Sequence, residues 1–114
     1  MTITEQVHDK VVVLALKGTF MGEPEATLFQ EKKFQLLEEN RSKIVLDLSE
    51  LTLINSSGLG SLISALISTR HKSGDLRLAN VSKLIDYVIQ QVNLGKIFKI
   101  YKTVEEAVAS FKEK

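Results

Sequence analysis

Apolar and polar positions change rhythm several times along this chain, and each rhythm predicts an element. Residues 2–8, TITEQVH, alternate and suit a short strand. Asp9-Lys10 offers a turn, and residues 11–17, VVVLALK, are β-branched and nearly all apolar, which fits a central strand. Together they predict an opening hairpin. Gly18 to Gly22 reads as a loop. Pro24 fits the first helical position, where a missing N–H costs little. Residues 24–39 are rich in helix formers, with Phe29, Leu36 and Leu37 as core contacts. Residues 43–48, KIVLDL, predict another buried strand, and residues 57–71 a second helix. Ser73-Gly74 turns the chain into residues 75–81, DLRLANV, which alternate as a strand. A third helix over 82–92 takes Ser82 as its cap and turns Leu84, Ile85, Val88 and Val92 inward. Gly95 is a natural stop. Residues 97–101, IFKIY, suit a short strand. Thr103 caps a last helix with Val104, Ala107, Val108 and Phe111 on one face. Strands alternating with helices predict an α/β fold whose mixed sheet is largely parallel, with right-handed crossovers.

Composition narrows the classes. The 114 residues suit one domain, 1–114, with one core, and a 44% hydrophobic, 25% charged balance is ordinary for a globular chain. A net charge of +1 gives no bulk field favouring nucleic acid or an anionic membrane. The absence of cysteine removes disulfides and thiolate chemistry and is compatible with a reducing cytosol. No apolar run approaches the ~20 residues that span a bilayer, and the N-terminus has no apolar signal core. A cytoplasmic protein without direct membrane insertion is expected.

Chemistry concentrates at Asn55-Ser56-Ser57-Gly58, between the third strand and the second helix. Asn and Ser are preferred helix caps, so the stretch could be nothing more. A nucleophilic serine needs a base within reach. The two histidines are His8, in the first hairpin, and His71, at the far end of the same helix. Fourteen residues of helix separate Ser57 from His71, roughly 20 Å, so no catalytic residue is assigned. A nucleotide cradle would need the P-loop lysine or a Gly-x-Gly-x-x-Gly run, and both are missing. A phosphate acceptor remains: a modified serine here would meet free N–H groups at the positive end of the helix dipole. No metal ligand set or cofactor is implied.

The helix itself bears on the choice. Leu59, Leu62, Ile63, Leu66 and Ile67 follow one core-facing stripe. The other positions, Gly60, Ser61, Ser64, Ala65, Ser68 and Thr69, carry no charge. Either a neighbouring helix of the domain packs there, or the face docks a partner with the serines at its rim.

The stretch IVLDLSELTLINSSGLGSLISAL resembles the central motif of STAS domains (sulfate transporter and anti-sigma factor antagonist), in particular the stand-alone bacterial anti-sigma factor antagonists. Asp47-Leu48-Ser49 and Ser56-Ser57-Gly58-Leu59-Gly60 match it, and LRLANVSKLIDYVIQQVNLGKIFKIYKTVEEAVASF is similar to the family's closing segments. The resemblance implies a mixed sheet of four or five strands with about four helices mainly on one face. It also implies partner switching without enzymatic activity. The unmodified antagonist binds an anti-sigma factor that is also a serine kinase of GHKL type. Phosphorylation of the serine matching Ser56 releases it, and a PP2C-type phosphatase resets it. Asn55, Ser57 and Gly58 would surround the phosphosite, and Gly60, Ser61, Ser64, Ala65 and Ser68 would meet the partner. The same helix face serves STAS modules of signalling scaffolds and cytoplasmic subunits of lipid transporters, which is the alternative reading. Two departures stand out: Asn55 replaces the motif aspartate, and Gly18-Thr19-Phe20-Met21 replaces a Gly-Glu-Leu/Ile-Asp run in a loop one residue longer.

Overall fold

A computed structural model describes residues 1–112; the last two residues of the domain expected over 1–114 lie outside the described residues. In chain order the elements are β1 (Thr2–His8), β2 (Val11–Phe20), α1 (Glu25–Glu38), β3 (Lys43–Asp47), β4 (Leu51–Ile54), α2 (Ser56–His71), β5 (Asp75–Ala79), α3 (Lys83–Gln91), β6 (Ile100–Tyr101) and α4 (Val104–Ser110). A short 3₁₀ turn, Leu94–Lys96, precedes β6. The sheet runs β1-β2-β3-β5-β6, with β4 also paired to β2. β1 and β2 are antiparallel and every other pair is parallel. Asp9 and Lys10 close the hairpin with φ of 51° and 69°. A two-residue turn of this hand matches the twist of the strands it joins.

The sheet has six strands, where the resemblance implies four or five. The additional strand, β4, continues β3 along β2 after a break. Val12 to Ala15 pair with Ile44 to Asp47, and Gly18 to Phe20 then pair with Leu51 to Ile54. β2 therefore runs on to Phe20, through part of the expected loop. Asp47 secures the break: its Oδ1 accepts from the Ser49 N–H at 3.1 Å and from Asn80 Nδ2 at 3.3 Å.

β2 is buried on both faces. Val12, Leu14 and Leu16 join Ile44, Leu46, Leu76 and Leu78 under α1, α2 and α3. Val11 and Val13 join Val45 and Ala79 under Ala107 and Val108 of α4. Three helices thus cover one face and one covers the other. Ser82 and Thr103 cap α3 and α4 as expected, accepting from the Ile85 and Glu106 N–H groups. The buried side of α3 is Ile85 and Ile89, while Leu84 and Val92 are exposed. The helix ends at Gln91, so Val92 falls beyond its inward stripe.

Asp75, at the start of β5, holds three elements together. Its Oδ1 accepts from Arg70 Nε of α2 at 3.0 Å, and its Oδ2 from Arg77 Nε at 3.0 Å. Arg77 also donates to Ser110 Oγ at 2.6 Å, and its guanidinium lies 4.0 Å from the Phe111 ring centroid. Burial pushes the Asp75 carboxyl up, but the hydrogen bonds from Arg77, Arg70 and the Leu76 N–H outweigh it and hold it below the usual aspartate range. A depressed carboxylate stabilises the fold above its unfolded pKa, and that contribution fades as pH falls through the folded value. Glu5, held low by Lys32 and Arg41 against a smaller upward push from burial, acts with the same sign. Urea unfolding is therefore expected to show stability falling on acidification below the ordinary carboxylate range. Asp75→Asn should flatten that fall, and an unchanged slope would remove Asp75 from this role.

Candidate functional site

The four-residue junction is built on the end of β2. Asn55 is the N-cap of α2: its Oδ1 accepts from the Gly58 N–H at 2.9 Å. Its Nδ2 donates to the Met21 carbonyl at 2.9 Å, and its own N–H points to the Phe20 carbonyl at 3.4 Å. Gly58 makes this seat possible. A Cβ there would collide with the Phe20 carbonyl oxygen and lie 2.7 Å from Ile54 Cγ1. The helix start can press onto the strand end only because position 58 has no side chain.

Ser56 and Ser57 open the helix at its first two positions, and both are exposed. Neither hydroxyl makes a hydrogen bond among the described residues. Their backbone N–H groups are those that a helix start leaves without an intrahelical partner, and they have no acceptor among the described residues. The Met21-Gly22 loop crosses beside them: a side chain placed on Gly22 would come within 3.8 Å of Ser57 Oγ, and Gly22 has a φ of 132°. No acidic residue lies in the first turn of α2, and Arg70 and His71 occupy its last turn, where cations complement the dipole. The expected loop acid is absent from Met21, but the longer loop supplies Glu23. That carboxylate is turned to α1, accepting from the Thr27 N–H at 2.8 Å and from the Thr27 hydroxyl. Neither histidine is near the serines. His8 lies on the edge strand β1, bonded to Gln6, and His71 ends α2. Among the described residues no group of three His, Asp or Glu side chains could hold a metal ion.

The expected docking face divides in three. Gly60 and Ser64 are exposed. Ser61 and Ser68 are half-buried toward α1: Ser68 Oγ faces Lys33 Nζ at 3.4 Å, and Ser61 lines a shallow cleft with Glu23, Ala26 and Gln30. Ala65 is 1% exposed and belongs to the main core, so no partner can reach it. Ile67, expected inside, is 53% exposed. The helix is rotated relative to the expected stripe because three of its smaller residues face inward. Gly58, Ala65 and Thr69 join Leu59, Leu62 and Leu66 on the buried side. Thr69 can be buried because its hydroxyl donates to the Ala65 carbonyl at 2.6 Å. The outer stripe is therefore Ser57, Gly60, Ser64 and Ile67, with exposed Met21 beside its start. Met21 and Ile67 were missed as surface residues. The Gly58, Ala65, Thr69 spacing, in step with Leu62, is the sequence signal that could have revealed the rotation.

The STAS domain family model matches residues 2–107, and the chain belongs to that family. A curated relative, a candidate anti-sigma factor antagonist of Thermotoga maritima, is 30% identical over 110 residues, 96% of each chain. The crystal structure of a candidate anti-sigma factor antagonist from the same organism superposes with a TM-score of 0.90 at 28% identity, covering 97% of this chain and 95% of that one. The fold is also that of the anti-sigma factor antagonist SpoIIAA of Bacillus. Its unphosphorylated form has a TM-score of 0.75 at 19% identity, covering 99% of this chain and all of that one. Its phosphorylated form has a TM-score of 0.75 at 21% identity, covering 96% and 99%.

Proposed function

We propose that this protein is an anti-sigma factor antagonist that works by partner switching. With Ser56 unmodified, it binds an anti-sigma factor that is also a GHKL-type serine kinase. With Ser56 phosphorylated, it releases that partner, and a PP2C-type phosphatase returns it to the binding form. The chain itself performs no catalysis. The observation that carries this reading is the position of Ser56: the first residue of a long helix, exposed, with no hydrogen bond among the described residues to its hydroxyl or its backbone N–H. The relative's name agrees with it. The docking surface is the outer stripe of α2, namely Gly60, Ser64 and Ile67, reached past Met21 and Ser57. Ser61 and Ser68 form its α1-side margin.

An affinity pull-down with unmodified protein and with Ser56→Asp, read by mass spectrometry, tests the switch. A GHKL-fold protein kinase is expected on the unmodified bait and depleted from the variant. Incubating the recovered kinase with the protein and ATP should place phosphate on Ser56. Phosphate only on Ser57, or on neither serine, would overturn the assignment.

A further inference from the structure

Asn55 uses both ends of its amide, and its two partners fix which end is which. Gly58 offers an N–H, which must face oxygen, and Met21 offers a carbonyl, which must face nitrogen. One end caps α2. The other reaches 34 residues back along the sequence and holds the loop that leaves β2. An aspartate in this place keeps the cap, but when ionised it has no donor for Met21. It would set a negative oxygen against a carbonyl oxygen at hydrogen-bonding distance. Asn55, one of the two departures from the family motif, thus joins the loop to the helix start through its side chain.

We propose that Asn55 is a positioning residue that locks the Met21-Gly22 loop to the α2 N-terminus, so that Met21 and the two serines are presented as one rigid surface. Gly22 completes the arrangement. Its carbonyl accepts from the Ala26 N–H at 2.8 Å, and its φ of 132° is a backbone conformation that side-chain-bearing residues rarely adopt. The loop is then pinned from both sides, to α2 through Met21 and to α1 through Gly22. Its purpose, presenting the serines to a partner, rests on the switching reading; the tie itself does not.

NMR on the full chain tests the tie without any partner. In the unsubstituted protein the Met21, Gly22 and Glu23 amides should have order parameters of about 0.85, the value of rigid backbone. Asn55→Asp at neutral pH should lower these toward about 0.6 while Gly58 amide exchange stays near wild type. Asn55→Ala should loosen the loop and also speed Gly58 exchange about fivefold, the effect of losing one cap. A protonated carboxyl regains an O–H donor. Loop order in Asn55→Asp should therefore return as the introduced carboxyl is protonated, whereas a merely structural defect would not be reversed by acid. β4 and residues 56–69 of α2 carry no titratable group. Glu23 and Glu25, on the chain entering α1, are controlled by titrating the unsubstituted protein in parallel. Unchanged loop order in Asn55→Asp, or looseness that acid does not reverse, overturns the proposal. If the tie is present but the pull-down retains no kinase, the switching reading fails and the positioning role stands.

Discussion

Ala65→Arg is expected to unfold the protein, while Ser64→Arg, one position earlier on the same helix, is expected to leave folding nearly unchanged. Ala65 lies in the main core beside Leu62 and Leu66, and that cluster contains no carboxylate. Arginine there overfills a packed site, which costs about 1–3 kcal/mol. It also buries a charge without a partner, for which breaking a buried pair, at about 3–5 kcal/mol, is the nearest measure. The two together approach the whole stability of a small domain, about 5–15 kcal/mol. Ser64 faces solvent, where substitutions usually stay within about 0.5 kcal/mol. Urea unfolding of both variants reads the difference directly. Ser64→Arg should then weaken retention of the proposed kinase partner without a folding defect. If Ala65→Arg melted like the unsubstituted protein, Ala65 would be on the surface and the helix would face the other way.

That contrast shows where the sequence was legible and where it was not. Strands β1, β2, β3 and β5 show in their own patterns because burial or alternation is set locally by side chains such as Val11 to Val13 and Ile44 to Leu46. β4 does not, because Leu51 to Ile54 becomes a strand only by pairing with Gly18 to Phe20, which read as a loop. The start of α2 was visible because Asn-Ser-Ser-Gly is capping chemistry. Its rotation was hidden because no charge between Asn55 and Thr69 marks the outer face. Two stripes compete there, one of large residues ending in Ile67 and one of small residues including Ala65. The close seat of Gly58 on Phe20 favours the second. The Met21 contact left no trace in the sequence, since Asn55 reaches a backbone carbonyl and no side-chain type is needed there.

Phosphate on Ser56 is expected to cut affinity for the proposed kinase about a hundredfold while leaving the fold nearly unchanged. The modification adds a charge of roughly −1.5 to −2 at the rim of an uncharged stripe. A partner that still covered it would have to strip its water, and a penalty of ~3 kcal/mol gives that hundredfold loss. The protein has no reason to rearrange. Among the described residues the Ser56 and Ser57 N–H groups have no hydrogen-bond acceptor, and the first turn of α2 has no acid, so the phosphate meets the positive end of the helix without a competing charge. That placement favours the modified fold by about 0.3–1 kcal/mol. Asn55 contributes by being neutral, where an aspartate would set a second negative charge beside the phosphate. Glu23, the loop carboxylate, is already held by Thr27. Thermal stability should therefore be kept or slightly raised. Ser56→Asp should be a weak mimic, since it supplies one charge and a shorter reach. Amide shifts of the phosphorylated and unmodified forms check the mechanism. Changes confined to the Met21-Gly22 loop, Asn55 and the first turns of α2 fit a local electrostatic block. Shifts spreading through Val12–Ala15 of β2 and Ile44–Asp47 of β3 would show a conformational switch, and desolvation of the phosphate would no longer account for release.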